Sequence, residues 1–481
     1  MRLKELLNNV VAKNDISKFE DLQIDNISLN AQNKMNNGLF FCFSGKNDGY
    51  KLADRAVKNG AVVIVCEHLF DTKNLAKLVV VDDIRETIAI VSQNFYKTKD
   101  ARVIGITGTN GKTTTSFIIK NILEQAGKKV GVIGTNGIYF QNEFIEATLT
   151  TPDPVDLHHI FSIMLQGKVD YIIMEVSAHA IALKKIYGIN FVCKVFTNLS
   201  QDHLDYFKTM EYYSRVKESF FKNDDMMVVN IDDHLGQKIA NKYETAITYG
   251  LKNPCDAFCV EINQNCTKYT MNICDNVINV SSNLYGLFNV YNTLASAVCC
   301  YFLGVSIDNI KKGIESIKKI DGRFNVIEYN DRKIIIDFAH TPDGLENVLK
   351  AARKITDGRL YSLFGCGGNR DKKKRKIMGA ISNKYANFTF ITSDNPRYEN
   401  PNDIINEIAK GFNDKSFYKV EDRKNAIKMA IMSLREGDTL LICGKGSENY
   451  IDVAGKKIPY SDYDIVKKIL GELKWQWQQD I

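Results

Sequence analysis

Apolar residues in this chain come in short runs, each cut off by glycine or by polar residues. Such runs at 38–43, 61–65, 78–81, 103–106, 171–174, 192–197, 333–336, 360–364, 388–392 and 439–443 predict strands apolar on both faces. Between them the apolar positions shift to helical spacing, predicting helices over 84–95, 116–125 and 210–221. Strands apolar on both faces and separated by helices imply largely parallel sheets, covered on each side. At the N-terminus Leu3, Leu6, Leu7, Val10 and Val11 predict an amphipathic docking helix within 1–14, and Asn8 and Asn9 break any secretion-signal core.

At 481 residues the chain is too long for one core. The pattern divides it into three α/β parts. Residues 1–97 form a small N-terminal domain, 98–321 a central domain that opens with a glycine-rich loop, and 322–481 a doubly wound, Rossmann-like C-terminal domain. The polar clusters 108–113, 175–177, 198–203, 337–340, 365–371, 394–397 and 444–448 each follow an apolar strand. Ligands of open α/β sheets bind outside the carboxyl ends of strands, so chemistry is expected there.

Hydrophobic content of 44% and charged content of 25% describe a globular protein, and the net charge of +6 is mild. That charge suits an anionic substrate and gives no reason to expect nucleic acid. No apolar run has the length of a membrane span, so a cytoplasmic protein without membrane insertion is expected. The eleven cysteines include no C-x-x-C pair. Cys255, Cys259, Cys266 and Cys274 do not follow a zinc-module spacing, and reduced, partly buried thiols are expected.

The densest chemistry lies in Gly105-Ile-Thr-Gly-Thr-Asn-Gly-Lys-Thr-Thr-Thr115. A glycine loop between strand and helix turns backbone N–H groups toward one point, and the helix adds its positive end. Gly108, Thr109, Asn110, Gly111, Lys112, Thr113 and Thr114 are therefore read as a phosphate-binding loop. Lys112 supplies charge for the outer phosphates and Thr113 a hydroxyl for Mg²⁺. Glu175, at a strand end, is placed either to hold that metal or to cap the next helix. His203, among Asp202 and Asp205, is either a second ligand or a packed side chain.

The loop departs from the general pattern, with Ile106 where a further glycine would stand. The shorter form, Gly108 to Thr114, resembles that of the Mur ligase and folylpolyglutamate synthetase superfamily. Thr197-Asn-Leu-Ser-Gln-Asp-His-Leu-Asp-Tyr206, followed by Tyr213 and Lys217, is similar to the Mur ligase pattern. The resemblance implies that Lys217 is carbamylated and, with Glu175 and His203, organises Mg²⁺ near the γ-phosphate. It also implies nucleotide contacts from Asn292, in Gly286-Leu-Phe-Asn-Val-Tyr-Asn292, and from Arg323, in Asp321-Gly-Arg323. Thr150, Thr151, Ser177 and Lys185 would then face a UDP-linked substrate.

Asp337-Phe-Ala-His-Thr-Pro-Asp343 and Gly365-Cys-Gly-Gly-Asn-Arg-Asp371 resemble the third domain of the same enzymes, and Lys372-Lys-Lys-Arg-Lys376 is read as part of that ligase loop, the rest of it a solvated helix start. Asp394-Asn-Pro-Arg397 resembles the recognition motif of the MurE branch, which adds meso-diaminopimelate. Diaminopimelate carries a carboxylate at its unreactive end and lysine does not, and a guanidinium pairs with a carboxylate bidentately. The resemblance thus implies a diaminopimelate site of Asp394, Asn395, Pro396, Arg397 and Gly444, with Arg370 assisting and Glu448 taking the ammonium. It implies an ATP- and Mg²⁺-dependent amide ligase acting on UDP-MurNAc-L-Ala-D-Glu, expected as a monomer. Two rivals remain: another amino-acid ligase of the superfamily, and a nucleotide-binding regulator without ligase activity. The departures at Ala31, Gln32 and Leu183 keep the second open: Asn30-Ala-Gln32 stands for Asp-Ser-Arg, and Leu183 and Lys185 for Gln and Arg, while Ser447 replaces a histidine.

Overall fold

The computed structural model describes residues 1–43, 49–72, 75–222 and 225–479. They form two compact units, one of Met1–Gly105 with Lys128–Lys194, the other of Ile106–Gly127 with Val195–Ile481.

The first unit opens with a parallel sheet in the order Asn26–Ser28, Gly38–Phe41, Ala61–Cys66, Lys77–Val80. Alternation splits its side chains between two cores. Leu39, Phe41, Val63 and Val65 pack with Leu3, Leu6 and Ile88. Phe40, Cys42, Ile64 and Cys66 pack with Ala53 and Ala56 on the other face. The N-terminal helix is shorter than its apolar spacing predicts and spans only Leu3–Leu6. Asn9 takes a left-handed backbone (φ 65°), which ends the helical turn, and Val11 is left exposed. In the same unit Val130–Gly134 pairs in parallel with Tyr171–Glu175 and antiparallel with Gly137–Phe140.

In the second unit Met227–Asn230 pairs in parallel with Ala246–Gly250, and the antiparallel strands Ala257–Val260, Lys268–Ile273 and Asn276–Ser281 extend the sheet. A six-stranded sheet follows in the order Asn325–Tyr329, Arg332–Asp337, Thr439–Cys443, Leu360–Phe364, Phe388–Thr392, Phe417–Val420. All neighbours are parallel except the first pair. Ile335 and Leu441 face helices Pro342–Lys354, Lys373–Tyr385 and Pro401–Ala409, while Ile334, Ile336 and Leu440 face Arg423–Met432 and Asp462–Gln479. Helices therefore cover both faces, the doubly wound arrangement expected from the pattern. No helix among the described residues is long and apolar enough to cross a membrane. All eleven cysteines are free thiols, most of them buried.

Candidate active site

The buried strand Val103–Thr107 delivers the chain into the glycine loop, and Gly111 stands at the start of helix Lys112–Gln125. Gly111 has φ +86°, and a Cβ there would strike the Asn292 amide oxygen. A Cβ on Gly108 would strike the Thr197 hydroxyl. The loop is fixed from the 197–200 segment. Thr109 N donates to Asn198 O (2.8 Å), Asn110 N to Asn198 Oδ1 (2.9 Å), and the Thr197 hydroxyl to Asn110 O (2.7 Å). Lys112 folds back, its Nζ donating to the carbonyls of Gly108 and Thr109, both at 2.9 Å. The Thr113 hydroxyl accepts from Arg323 Nη2 at 2.8 Å, and the Arg323 guanidinium lies 4.4 Å from the Phe338 ring centre. Asn292 is buried behind the loop, its amide shared with Thr115 and Asn289.

Lys217 is almost fully enclosed, its ammonium 4.9 Å from the Tyr213 ring centre. Burial holds its pKa well below the usual lysine value, and the charge of Lys112 pushes the same way against the pull of Asp202 and Asp233. The downward shift favours the unprotonated amine, the form that carbamate formation needs. His203 has a left-handed backbone (φ 56°) and its ring meets Tyr213 edge-on.

Asp202 is a site residue that sequence reading used only as a neighbour of His203. It faces His203 Nε2 (3.4 Å), His340 Nε2 (3.8 Å) and Lys374 Nζ (3.6 Å). Burial alone would raise its pKa, but the His340 hydrogen bond and the Lys374 and His203 charges hold it well below the ordinary value. Lys374 and Arg375 correct the reading of 372–376 as solvated. With Met378, Gly379 and Ser382 they form the inward face of their helix, and Arg375 pairs with Glu399 and Glu407. The charges were visible in sequence; their acidic partners, far along the chain, were not.

In the first unit Glu175 is buried at its strand end and accepts from Thr135 N (3.1 Å) and Thr135 Oγ1 (2.9 Å). It therefore does not cap a helix; Ser177 does, accepting from Ala180 N. Thr150 meets the Thr135 hydroxyl at 3.1 Å, and Thr151 donates to Glu175 O at 2.8 Å. Lys185 pairs with Asp153 at 2.8 Å. Thr135 had no sequence signal, since a lone threonine after a strand is ordinary.

The third cluster lies at the ends of Phe388–Thr392 and Thr439–Cys443. Arg397 takes φ +51°, donates from Nη1 to Gly368 O (2.8 Å), and has Nε 3.6 Å from Asp452 Oδ2. Its backbone pairs with the same segment, Arg397 N to Asp452 O and Ala454 N to Arg397 O. Asn395 joins the two loops: Nδ2 donates to Glu448 Oε2 (2.9 Å), and Oδ1 accepts from Lys445 Nζ (3.1 Å) and Asp452 N (2.8 Å). Lys445 is fully enclosed and donates to Glu448 Oε2 at 2.7 Å, so the Glu448 carboxylate is already partly balanced. Gly444 lies against Asp394, where a Cβ would strike Oδ2. Arg370 is exposed at the end of the neighbouring loop. Lys445 and Asp452 were missed because nothing local marks a buried lysine or a carboxylate in a hairpin.

Residues 106–300 match the Mur ligase middle domain, and residues 322–446 match the Mur ligase, glutamate ligase domain. The chain is 40% identical to the UDP-N-acetylmuramoyl-L-alanyl-D-glutamate--2,6-diaminopimelate ligase 1 of Clostridium acetobutylicum, over 98% of this chain and 100% of that one. The corresponding ligase of Clostridium tetani is 39% identical with the same coverage. A solved structure of a UDP-N-acetylmuramoyl-L-alanyl-D-glutamate--2,6-diaminopimelate ligase superposes with a TM-score of 0.70 at 26% identity, covering 98% of this chain and 99% of that one. Matched end to end at this identity, the chain belongs to the Mur ligase family.

Proposed function

We propose that this chain is an ATP-dependent ligase that joins meso-diaminopimelate to UDP-MurNAc-L-Ala-D-Glu in cytoplasmic peptidoglycan precursor synthesis. The observation that carries the reading is the Arg397 guanidinium, held by Gly368 and Asp452 and linked through Asn395 to the Glu448 carboxylate. A cation and an anion so joined suit the zwitterionic end of diaminopimelate. The relatives named for this reaction align over the whole chain.

The γ-phosphoryl group of ATP passes to the terminal D-glutamate carboxylate, giving an acyl phosphate and ADP. The free amine of diaminopimelate then attacks the acyl carbon, phosphate leaves, and an amide forms with loss of one proton. Phosphoryl transfer depends chiefly on positioning and charge neutralisation. Gly108 to Thr114 cradle the phosphates, and Lys112 exchanges its loop carbonyls for the outer phosphate oxygens. Arg323 and Asn292 serve the nucleotide end.

Thr113 and His203 would hold Mg²⁺, with Lys217 contributing as its carbamate, and Glu175 is assigned to metal binding as well; oxygen donors suit a hard cation. When bound, the ion neutralises phosphate charge. Thr150, Thr151, Ser177 and Lys185 bind the UDP-linked dipeptide. Asp394, Asn395, Pro396, Arg397, Gly444 and Glu448 bind diaminopimelate, with Arg370 at the rim. The parts at 1–97, 98–321 and 322–481 serve the UDP-substrate, ATP and the amino acid respectively, in a monomer with no nucleic-acid partner.

The test is ligation of meso-diaminopimelate or lysine to the UDP-dipeptide, following ADP release. Diaminopimelate-dependent ADP and tripeptide formation supports the reading, and nucleotide binding without ligation of either amino acid overturns it.

A further inference from the structure

Arg423 lies outside every motif above, at the start of helix Arg423–Met432, and is fully enclosed. Its guanidinium makes two kinds of contact. Nε and Nη2 grip both carboxylate oxygens of Asp462, at 2.9 and 2.7 Å, in a pair shut off from water. Nη1 donates to Ser393 O at 3.2 Å and Nη2 to Cys443 O at 2.8 Å. Tyr460 steadies Asp462 through a hydroxyl bond of 3.0 Å.

The two carbonyls have a particular position in the sheet. Ser393 follows Phe388–Thr392 and Cys443 ends Thr439–Cys443, and these strands are not neighbours, because Leu360–Phe364 runs between them. No ladder hydrogen bond therefore joins their ends directly. The next residues on each chain are Asp394-Asn-Pro-Arg397 and Gly444 to Glu448. The main chains of both recognition loops are thus joined, immediately upstream, by a single guanidinium. Its fork reaches two carbonyls while Asp462 fixes its orientation, which a lysine cannot reproduce.

We propose that Arg423 is a positioning residue for the amino-acid end of the site. By tying Ser393 to Cys443 it sets the spacing of Arg397 and Asn395 against Glu448. The inference rests on the diaminopimelate reading above.

Two variants of the full-length chain test it. Arg423→Lys keeps a cation for Asp462 and loses the fork. Arg423→Met with Asp462→Leu removes the buried pair together, an exchange that folded proteins often tolerate. In either folded variant KM for diaminopimelate should rise about tenfold or more, as loosened site geometry does, while KM for ATP stays within about twofold. An unchanged diaminopimelate KM in a variant with native circular dichroism would overturn the proposal. So would a parallel rise in both KM values, or failure of both variants to fold, either of which assigns Arg423 to the core alone. If the wild-type chain uses another amino acid, the diaminopimelate reading falls, and the same KM split measured with that amino acid still decides the role of Arg423.

Discussion

The Asn110 side chain donates to the Asp343 carboxylate at 2.8 Å, a direct bond from the glycine loop to the helix that follows strand Arg332–Asp337. The Thr341 hydroxyl reaches the same Asn110 side chain at 3.3 Å. The loop is therefore braced by a segment more than two hundred residues away in sequence.

That brace gives the first expectation. A hydrogen bond to a charged group contributes about 1.5–3 kcal/mol. Part of this persists in Asp343→Ala, because Asn198 and Thr197 still hold the Asn110 backbone. KM for ATP should rise by about 5- to 30-fold, or about 1–2 kcal/mol at 1.4 kcal/mol per decade, with little change for diaminopimelate. Steady-state kinetics with each substrate varied in turn measures it, and an equal rise in both would remove Asp343 from the nucleotide side.

Lys217 supports a second. Its amine is enclosed, and burial pushes its pKa well below the usual lysine value. If its carbamate organises the metal, Lys217→Ala should reduce turnover by about a hundredfold or more with the fold intact, the scale seen when charge stabilisation of a transition state is lost. Short carboxylates should restore part of the rate, and depleting CO₂ should slow the wild-type enzyme. A variant with near-normal turnover would return Lys217 to a packing role.

Strand placement and the glycine loop were legible because apolar runs and Gly108-Thr-Asn-Gly-Lys112 are local signals. The same is true of the placement of Glu175, the last residue of its strand, and of Arg397, in the loop that follows Phe388–Thr392. What was not legible depends on contacts between distant segments. Lys374 looks like any surface lysine until Asp202 stands opposite it. Lys445 becomes a buried cation only because Glu448, Asn395 and the Tyr450 carbonyl surround it. The short N-terminal helix failed for the opposite reason. Its apolar spacing was helical, but the left-handed Asn9 decided the backbone.

His158 gives the first unit a pH dependence between about pH 4 and 6.5. Nδ1 meets the Thr98 hydroxyl at 2.6 Å, Nε2 is buried without a hydrogen-bond partner, and burial lowers the pKa to about 4. An unfolded histidine titrates near 6.5, so between these values the unfolded chain binds more protons and stability rises with pH. The contribution is complete above about pH 6.5 and is lost as pH falls toward 4. Over that window it amounts to about 3 kcal/mol, at about 1.4 kcal/mol per pH unit. His158→Asn, which keeps a polar atom near Thr98, should flatten the pH dependence of the unfolding midpoint there. Parallel curves for variant and wild type would show that other groups govern it.

Arg397 supplies the specificity test. Its guanidinium is half-buried and fixed by Gly368 and Asp452, so on the proposed reading it would meet a ligand carboxylate with little reorganisation. Truncating one partner of a buried charge pair costs about 2–5 kcal/mol, mostly from stranding the other charge. At about 1.4 kcal/mol per decade that is a factor of about thirty to several thousand. Arg397→Ala should therefore lower kcat/KM for diaminopimelate by that factor while KM for ATP changes little. Lysine offers the guanidinium no distal carboxylate, so its use should not fall in parallel. Asp452 sharpens the contrast, because in the alanine variant its carboxylate loses the Arg397 partner and becomes an anion near the ligand's distal end. That anion repels the distal carboxylate of diaminopimelate, a group lysine lacks, moving the ratio of the two kcat/KM values further toward lysine. Equal losses for both amino acids, or a wild-type preference for lysine, would remove Arg397 from the specificity role.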